Sequence, residues 1–207
     1  MLNKGNEYMG FFIHRLTLVV SVLVVLVQIM FTSAVAQDNA STAHNCPSVL
    51  QYDVTLLESS KPTTLCDFKG QTLLVVNIAS GCGFTPQLKP LEALYQKYKD
   101  RGLVVIGFPS NSFYQESLEG QEIASFCQLK YGVNFPITAK TPVTGENAHP
   151  FFKRLANETD QAPQWNFFKY LISPQGKVIE VFSSKITPDS KELVMLVEQA
   201  LTPVTQQ

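Results

Sequence analysis

The stretch LLVVNIASGCGFTP, residues 73–86, decides the fold of this chain. Its first seven residues, Leu73 to Ala79, form an apolar run that is typical of a strand buried on both faces in the middle of an α/β sheet. Helical spacing follows from Leu88 to Tyr98 and ends at Gly102, and Val104 to Phe108 form a second buried run. A strand, a helix and a strand in this order predict a right-handed crossover between two parallel strands.

The start of the first helix has two interpretations because Pro90 cannot donate the backbone hydrogen bond that an interior helical position needs. Either Thr85 and Pro86 begin a kinked helix, or Pro90 opens a shorter one. The second start would weaken the effect of the helix dipole on Cys82.

The remaining segments also alternate between strand and helix patterns. We expect a hairpin from Tyr52–Leu57 and Thr63–Cys66 around a turn at residues 59–62, helices over Glu119–Tyr131, His149–Asn157 and Ser190–Leu201, and strands over Phe168–Ile172 and Val178–Phe182 around the turn at residues 174–176. These elements predict one α/β domain over residues 46–207. Its expected architecture is a thioredoxin-like three-layer fold, with a central mixed β-sheet flanked by helices.

The first 36 residues have the pattern of an export signal. Lys4 and Arg15 precede an uncharged apolar run from Leu16 to Phe31, and small residues follow at 33–36. We expect cleavage before Gln37, with an uncleaved membrane anchor as the alternative. Residues 37–45 then form a flexible lead-in, and both interpretations place the domain in the periplasm or outside the cell.

Export determines how the four cysteines are interpreted. In an oxidising compartment, Cys46 and Cys66 are expected to form a structural disulfide that closes a loop of about 20 residues and stabilises the fold by roughly 3 kcal/mol. Cys82 and Cys127 remain as candidates for chemistry. No zinc site is expected, because no two cysteines are closely spaced. With 16 Lys and Arg against 17 Asp and Glu, the chain also gives no electrostatic support for nucleic-acid binding.

Cys82 stands between Gly81 and Gly83 at the predicted junction of a strand and a helix. Backbone N–H groups and the positive end of a helix dipole favour the thiolate, the nucleophilic form of cysteine. The alternative is a buried structural cysteine, but the two glycines leave space for backbone or substrate to approach the sulfur. We therefore expect a reactive thiol.

No histidine is well placed to act as a base for this thiol. His14 belongs to the export signal, His44 to the lead-in, and His149 to the start of a predicted helix, so a Cys–His hydrolase is not expected. Neutral donors can stabilise a thiolate instead. Candidates lie in loops at the ends of predicted strands, where ligands gather in open α/β sheets: Gln115, Trp165 and Asn166.

Three stretches together resemble the glutathione peroxidase family: VNIASGCGFT at residues 76–85, GFPSN at 107–111 and WNF at 165–167. The resemblance covers nearly the whole mature chain from Tyr52, and the family's active site combines cysteine or selenocysteine with Gln, Trp and Asn. This chain is similar to the non-selenium, cysteine-containing members of an exported bacterial type. The resemblance implies a thiol peroxidase that defends against oxidative stress, with no cofactor.

The resemblance also implies roles for individual residues. Cys82 would attack a hydroperoxide and become a sulfenic acid, while Gln115, Trp165 and Asn166 would orient the thiolate and stabilise the departing oxygen. Thr85 stands where a Cys-x-x-Cys oxidoreductase has its second cysteine, which excludes ordinary dithiol exchange. Cys127 looks like the resolving cysteine of members that form an internal disulfide, and its alternative interpretation is a core residue.

The chain departs from the family pattern in ways that affect its partners. The segment after Asn111 is one residue shorter than usual, which could displace Gln115. The expected reductant is a thiol, either a thioredoxin-like protein or glutathione, and Val181, which stands where some members have an arginine linked to glutathione contact, favours the former. The segment before Trp165 lacks the insertion of tetrameric relatives, and a monomer is expected. Other functional classes are a thiol-based redox sensor or relay and a binding module without turnover.

Overall fold

The computed structural model describes residues 46–58 and 62–202. The predicted signal segment, the flexible lead-in and residues 59–61 of the predicted turn lie outside the described residues. Within them, no helix has the length and apolar character needed to cross a membrane.

Six strands and four α-helices are described. In chain order they are β1 (Asp53–Thr55), β2 (Pro62–Thr64), β3 (Thr72–Ile78), α1 (Leu88–Tyr98), β4 (Leu103–Pro109), α2 (Gln121–Tyr131), α3 (Pro150–Thr159), β5 (Lys169–Ile172), β6 (Val178–Phe182) and α4 (Lys191–Ala200). Strands β1 and β2 pair in an antiparallel arrangement, which confirms the hairpin. The other strands form a mixed sheet in the order β4-β3-β5-β6.

The pairing in the mixed sheet explains where a site can form. Strands β3 and β4 are parallel, as the crossover predicts, whereas β5 is antiparallel to both β3 and β6. The carboxyl ends of β3 and β4 therefore lie at the same edge of the sheet as the amino end of β5. Three loops meet at this edge: the one after Ile78, the one after Pro109 and the one before Lys169.

Each face of the sheet is covered by its own hydrophobic cluster, because side chains alternate along a strand. On one face, Leu74 and Val76 of β3 pack with residues of α1, α2 and α4. On the other face, Leu73 and Val75 pack with α3 and with the segment that contains β1. The described part of the chain thus has the three layers that the sequence predicts.

The start of α1 is closer to the kinked interpretation than to the shorter helix. A 3₁₀ turn at Thr85–Gln87 runs directly into α1, which begins at Leu88. Pro90 is the third residue of α1, where the backbone N–H has no partner within the helix, so its missing donor costs little. The alternative in which Pro90 opens a shorter helix is therefore wrong. Gly102 ends the following 3₁₀ turn at φ 95°, in the left-handed region.

Two predicted helix starts are one residue early because the first residue is a cap. His149 Nδ1 accepts a hydrogen bond from the N–H of Phe151 at 3.2 Å, and Ser190 Oγ accepts from the N–H of Leu193 at 3.3 Å. A capping residue lies outside the helix that it stabilises. Helix α2 begins at Gln121 rather than Glu119, after Gly120 at φ 47°.

A disulfide lies within the domain and joins its first described residue to the 3₁₀ turn after β2. Cys46 and Cys66 are joined, with their Cα atoms 5.6 Å apart. Cys82 and Cys127 are free thiols, so the four cysteines divide into the same two pairs as in the sequence analysis.

Candidate active site

Cys82 lies in the loop between β3 and the 3₁₀ turn that precedes α1, and its side chain is buried. The sulfur accepts a hydrogen bond from the backbone N–H of Phe84 at 3.4 Å. The hydroxyl of Thr85 accepts from the N–H of Cys82 at 3.1 Å and donates to the carbonyl of Ala79 at 2.8 Å. Thr85 therefore fixes the loop at the position where a dithiol enzyme would carry a second cysteine.

Gln115 lies beside this loop despite the shortened segment before it. Its backbone carbonyl oxygen accepts a hydrogen bond from the N–H of Gly81 at 2.9 Å. A Cβ at Gly81 would lie 2.9 Å from the same oxygen, so only glycine permits this approach. The next residue, Glu116, is buried and accepts from both the N–H of Ser80, at 2.8 Å, and its hydroxyl, at 2.6 Å. Residues 115–116 are thereby fixed along residues 80–81.

Trp165 and Asn166 are held next to the same edge by Asn77 of β3. The Asn77 side chain donates to the Trp165 carbonyl at 3.1 Å and accepts from the N–H of Phe168 at 3.0 Å. Asn166 is fully buried, and its Nδ2 donates to Oε1 of Gln115 at 3.1 Å. The structure thus brings Gln115 and Asn166 into direct contact beside the Cys82 loop.

Trp165 is placed differently from the other three predicted catalytic residues. Its side chain is 40% exposed, and its ring lies 5.3 Å from that of Phe113, centroid to centroid. Among the described residues, the Cys82 sulfur accepts a hydrogen bond only from Phe84, and none from Gln115, Trp165 or Asn166. The structure therefore brings Gln115, Trp165 and Asn166 to the same end of the sheet as the Cys82 loop, without a hydrogen bond from any of their side chains to the sulfur.

Two further features of this end of the sheet are a buried polar atom without a partner and an open cleft. Oδ1 of Asn166 is buried and has no hydrogen-bond partner within the described residues. Such an atom costs free energy unless a water or a ligand supplies a donor. A cleft of about 390 Å³ is lined by Phe84, Gln164, Trp165, Phe168, Ser183, Ser184 and Lys185, and its lining includes neither Asn166 nor Cys82.

Cys127 lies in α2 and is almost completely buried, in the same hydrophobic cluster as Cys82. Burial, with a smaller contribution from the negative charge of Glu116, raises the pKa of the Cys127 thiol to about 12. In this conformation the thiol is therefore protonated at neutral pH and weakly nucleophilic.

Sequence analysis did not identify Asn77, Glu116 or Lys169, three buried polar residues that organise the site. Lys169 begins β5 and is fully buried, and burial lowers its pKa to about 7. The available signal was a polar residue inside an apolar strand pattern, which applies to Asn77 and Lys169. Within the described residues, no cluster of His, Cys, Asp and Glu could hold a metal ion.

Comparison with known proteins gives a consistent result. The family model for glutathione peroxidase matches residues 49–156. A glutathione peroxidase-like peroxiredoxin from Schizosaccharomyces pombe is 49% identical over 140 residues, covering 65% of this chain and 89% of the relative. The chain belongs to the glutathione peroxidase family. The prediction of a thiol peroxidase is confirmed.

A second relative is a hydroperoxy fatty acid reductase from Synechocystis, which is 42% identical over 159 residues, or 72% of this chain and 94% of the relative. Among solved structures, T. cruzi GPX1 superposes with a TM-score of 0.59 at 30% identity, covering 74% of this chain and 96% of that one.

More distant structures agree in fold alone. A thioredoxin-family thiol:disulfide interchange protein from Chlorobium tepidum gives a TM-score of 0.55 at 16% identity, covering 76% of this chain and 96% of that one. The thioredoxin-like fold predicted for this glutathione peroxidase family member is confirmed.

Proposed function

We propose that Cys82 is the peroxidatic residue of this family member. Its thiolate attacks one oxygen of a hydroperoxide, so that an S–O bond forms as the O–O bond breaks. The sulfur is oxidised to sulfenic acid, and the other oxygen takes up a proton and leaves as water or an alcohol. The position of the sulfur carries this proposal: it accepts the Phe84 N–H in a loop that contacts Gln115.

Gln115, Trp165 and Asn166 have the polar groups that this reaction needs. Within the described residues, neither Nε2 of Gln115 nor Nε1 of Trp165 donates a hydrogen bond to a protein atom, and Oδ1 of Asn166 accepts none. Two donor groups and one acceptor are thus free to bind a hydroperoxide and the thiolate. Groups that are fixed before the reaction stabilise developing charge without reorganisation.

The cleft beside Trp165 supports organic hydroperoxides as substrates, together with hydrogen peroxide. Three aromatic residues on its wall, Phe84, Trp165 and Phe168, offer apolar surface for a hydrocarbon chain. The similarity to a hydroperoxy fatty acid reductase favours the same substrate class.

Cys127 is proposed to resolve the sulfenic acid by forming a disulfide with Cys82, which releases water. Both thiols belong to one hydrophobic cluster, and the high pKa of Cys127 means that α2 must open before its thiol reacts. A thioredoxin-like protein then reduces the disulfide. Val181, which is only partly buried, provides no charge that would bind glutathione.

We also propose that the protein is exported and acts as a monomer in the periplasm or outside the cell. The charged and apolar pattern of residues 1–36 supports export. The disulfide between Cys46 and Cys66 supports an oxidising compartment, since such bonds are rare in the cytosol. The mass of the protein recovered from cells tests this, because cleavage gives a chain that begins at Gln37.

The peroxidatic role is tested by adding one equivalent of hydroperoxide to the reduced protein and mapping the cysteines by mass spectrometry. We expect sulfenic acid at Cys82, followed by a Cys82–Cys127 disulfide, with Cys46–Cys66 unchanged. Unchanged hydroperoxide consumption by Cys82→Ser would refute the proposal. Many turnovers with only a dithiol reductant would also distinguish an enzyme from a redox sensor, which needs its partner.

A further inference from the structure

Lys169 is a buried cation that the proposed chemistry does not use. It is fully buried, and among the described residues no carboxylate forms an ion pair with it. A buried charge without a counterion is unfavourable unless hydrogen bonds compensate it. The Lys169 ammonium instead donates to three neutral oxygens: Oε1 of Gln87 at 2.8 Å, the carbonyl of Phe167 at 2.8 Å and the carbonyl of Ile186 at 2.9 Å.

These three acceptors belong to three different segments that border the site. Gln87 ends the 3₁₀ turn that follows the Cys82 loop, and Phe167 follows Asn166 directly. Ile186 lies next to residues 183–185, which line the same cleft as Trp165. Nε2 of Gln87 also donates to the carbonyl of Ser184 at 2.7 Å, so all three segments are joined at one point.

The backbone that Lys169 holds is strained. Phe167 has φ 65°, in the left-handed region that a bulky residue rarely adopts. Strain of this kind persists only where surrounding contacts enforce it, and it is typical of functional sites. The bond from Nζ to the Phe167 carbonyl is one such contact.

We propose that Lys169 is a positioning residue of the peroxidase reaction, because its ammonium holds the Trp165–Phe167 segment against the Cys82 loop. This inference depends on the proposed roles of Trp165, Asn166 and Cys82. An ammonium has three N–H bonds and satisfies all three oxygens, whereas a neutral amine has two and must release one. The geometry of the site thus depends on the charge of Lys169.

This charge changes near neutral pH, because burial lowers the pKa of Lys169 to about 7. The titratable groups on the adjoining segments include Cys82, Lys89, Tyr170, Glu180, Lys185 and Asp189. None of these groups hydrogen-bonds to Nζ among the described residues, and burial is the only cause of the lowered pKa.

The test variant is Lys169→Met, which keeps a side chain of similar length but removes the N–H donors. The matched control is Lys153→Met, at an exposed position of α3. Single-turnover oxidation by hydrogen peroxide is followed by the emission of Trp165, the only tryptophan. We expect the rate constant to fall about tenfold or more in Lys169→Met and to stay within about twofold in Lys153→Met, since small misplacements are costly in catalysis. Equal rates in the two variants would overturn the inference.

The pH profile separates positioning from a general loss of structure. Between pH 6 and 8, the ratio of the wild-type rate to the Lys169→Met rate should fall as Lys169 loses its proton. Gln87→Glu places a carboxylate against Nζ and raises the pKa of Lys169. When the rate of this variant replaces the wild-type rate in the ratio, the ratio should fall at a higher pH. A ratio that is flat with pH would overturn the inference. If Lys169→Met does not fold, an unshifted profile in Gln87→Glu overturns it.

Failure of this inference is distinguishable from failure of the proposed function. If Cys82→Ser abolishes turnover while Lys169→Met behaves as Lys153→Met, only the positioning role is lost. If Cys82→Ser keeps its activity, both are wrong.

Discussion

Two free thiols lie in the same hydrophobic cluster but in different surroundings. Cys82 belongs to a loop and Cys127 to a helix. Their exposed fractions are similar, 6% and 2%. The Cys82 sulfur accepts a hydrogen bond from a backbone N–H and lies between two glycines. Cys127, on α2, is surrounded by apolar side chains, and burial raises the pKa of its thiol to about 12. The two sulfurs therefore differ in their surroundings although both are buried, and we expect the donor beside Cys82 to make it the reactive thiol.

The comparison is tested most strongly by removing the first thiol. Cys82→Ser should reduce hydroperoxide turnover by roughly a thousandfold or more, because a serine hydroxyl without a base is a poor nucleophile. Turnover is measured with a dithiol reductant in excess. The Cys46–Cys66 disulfide should remain in this variant, and an unchanged circular dichroism spectrum shows that the fold is intact.

Removing the second thiol should affect a different step. In Cys127→Ser, oxidation of Cys82 in a single turnover should stay within about twofold of wild type, while steady-state turnover with a thioredoxin-like reductant falls about tenfold to a hundredfold. Stopped-flow Trp165 emission measures the first step and peroxide consumption the second. An equal loss in both would mean that Cys127 serves the core and not resolution.

Substitutions of the two glycines beside Cys82 form a matched pair, for which we expect an effect of intermediate size on the oxidation rate. Gly81→Ala brings a Cβ within 2.9 Å of the Gln115 carbonyl, whereas a Cβ at Gly83 has nothing within 4 Å. We expect the oxidation rate to fall about tenfold in Gly81→Ala, since the Gln115 segment must move. Gly83→Ala should stay near wild type. The contrary ranking would exclude a role for the Gln115 contact.

The smallest expected effect concerns the pKa of Cys127. Folding raises it above its ordinary value of 9.0, so the protonated thiol stabilises the fold below pH 9, and this contribution is lost as the pH rises from 9 towards 12. Glu116→Gln removes the smaller cause and should lower the pKa slightly. Alkylation of Cys127 between pH 8 and 10 should then be faster by a fewfold. Exposed Glu122→Gln is the control, and no difference between the two would exclude the charge of Glu116 as a cause.

Sequence patterns predict the strands and helices well because these depend on local periodicity. The start of α1 stayed ambiguous, since the 3₁₀ turn before Leu88 moves Pro90 into a tolerated position. The contact between Gln115 and Asn166 spans 51 residues, and that between Lys169 and Gln87 spans 82. Such contacts depend on how distant loops meet in the folded protein, and local sequence patterns do not predict them.

Asn77 connects β3 to the residues that precede β5. Its side chain and backbone contact Trp165, Phe167 and Phe168. The segment that carries Trp165 and Asn166 is therefore tied to β3, the inner strand of the sheet from which the Cys82 loop continues. A deletion in a neighbouring loop, such as the one expected before Gln115, can then alter substrate entry while this connection persists.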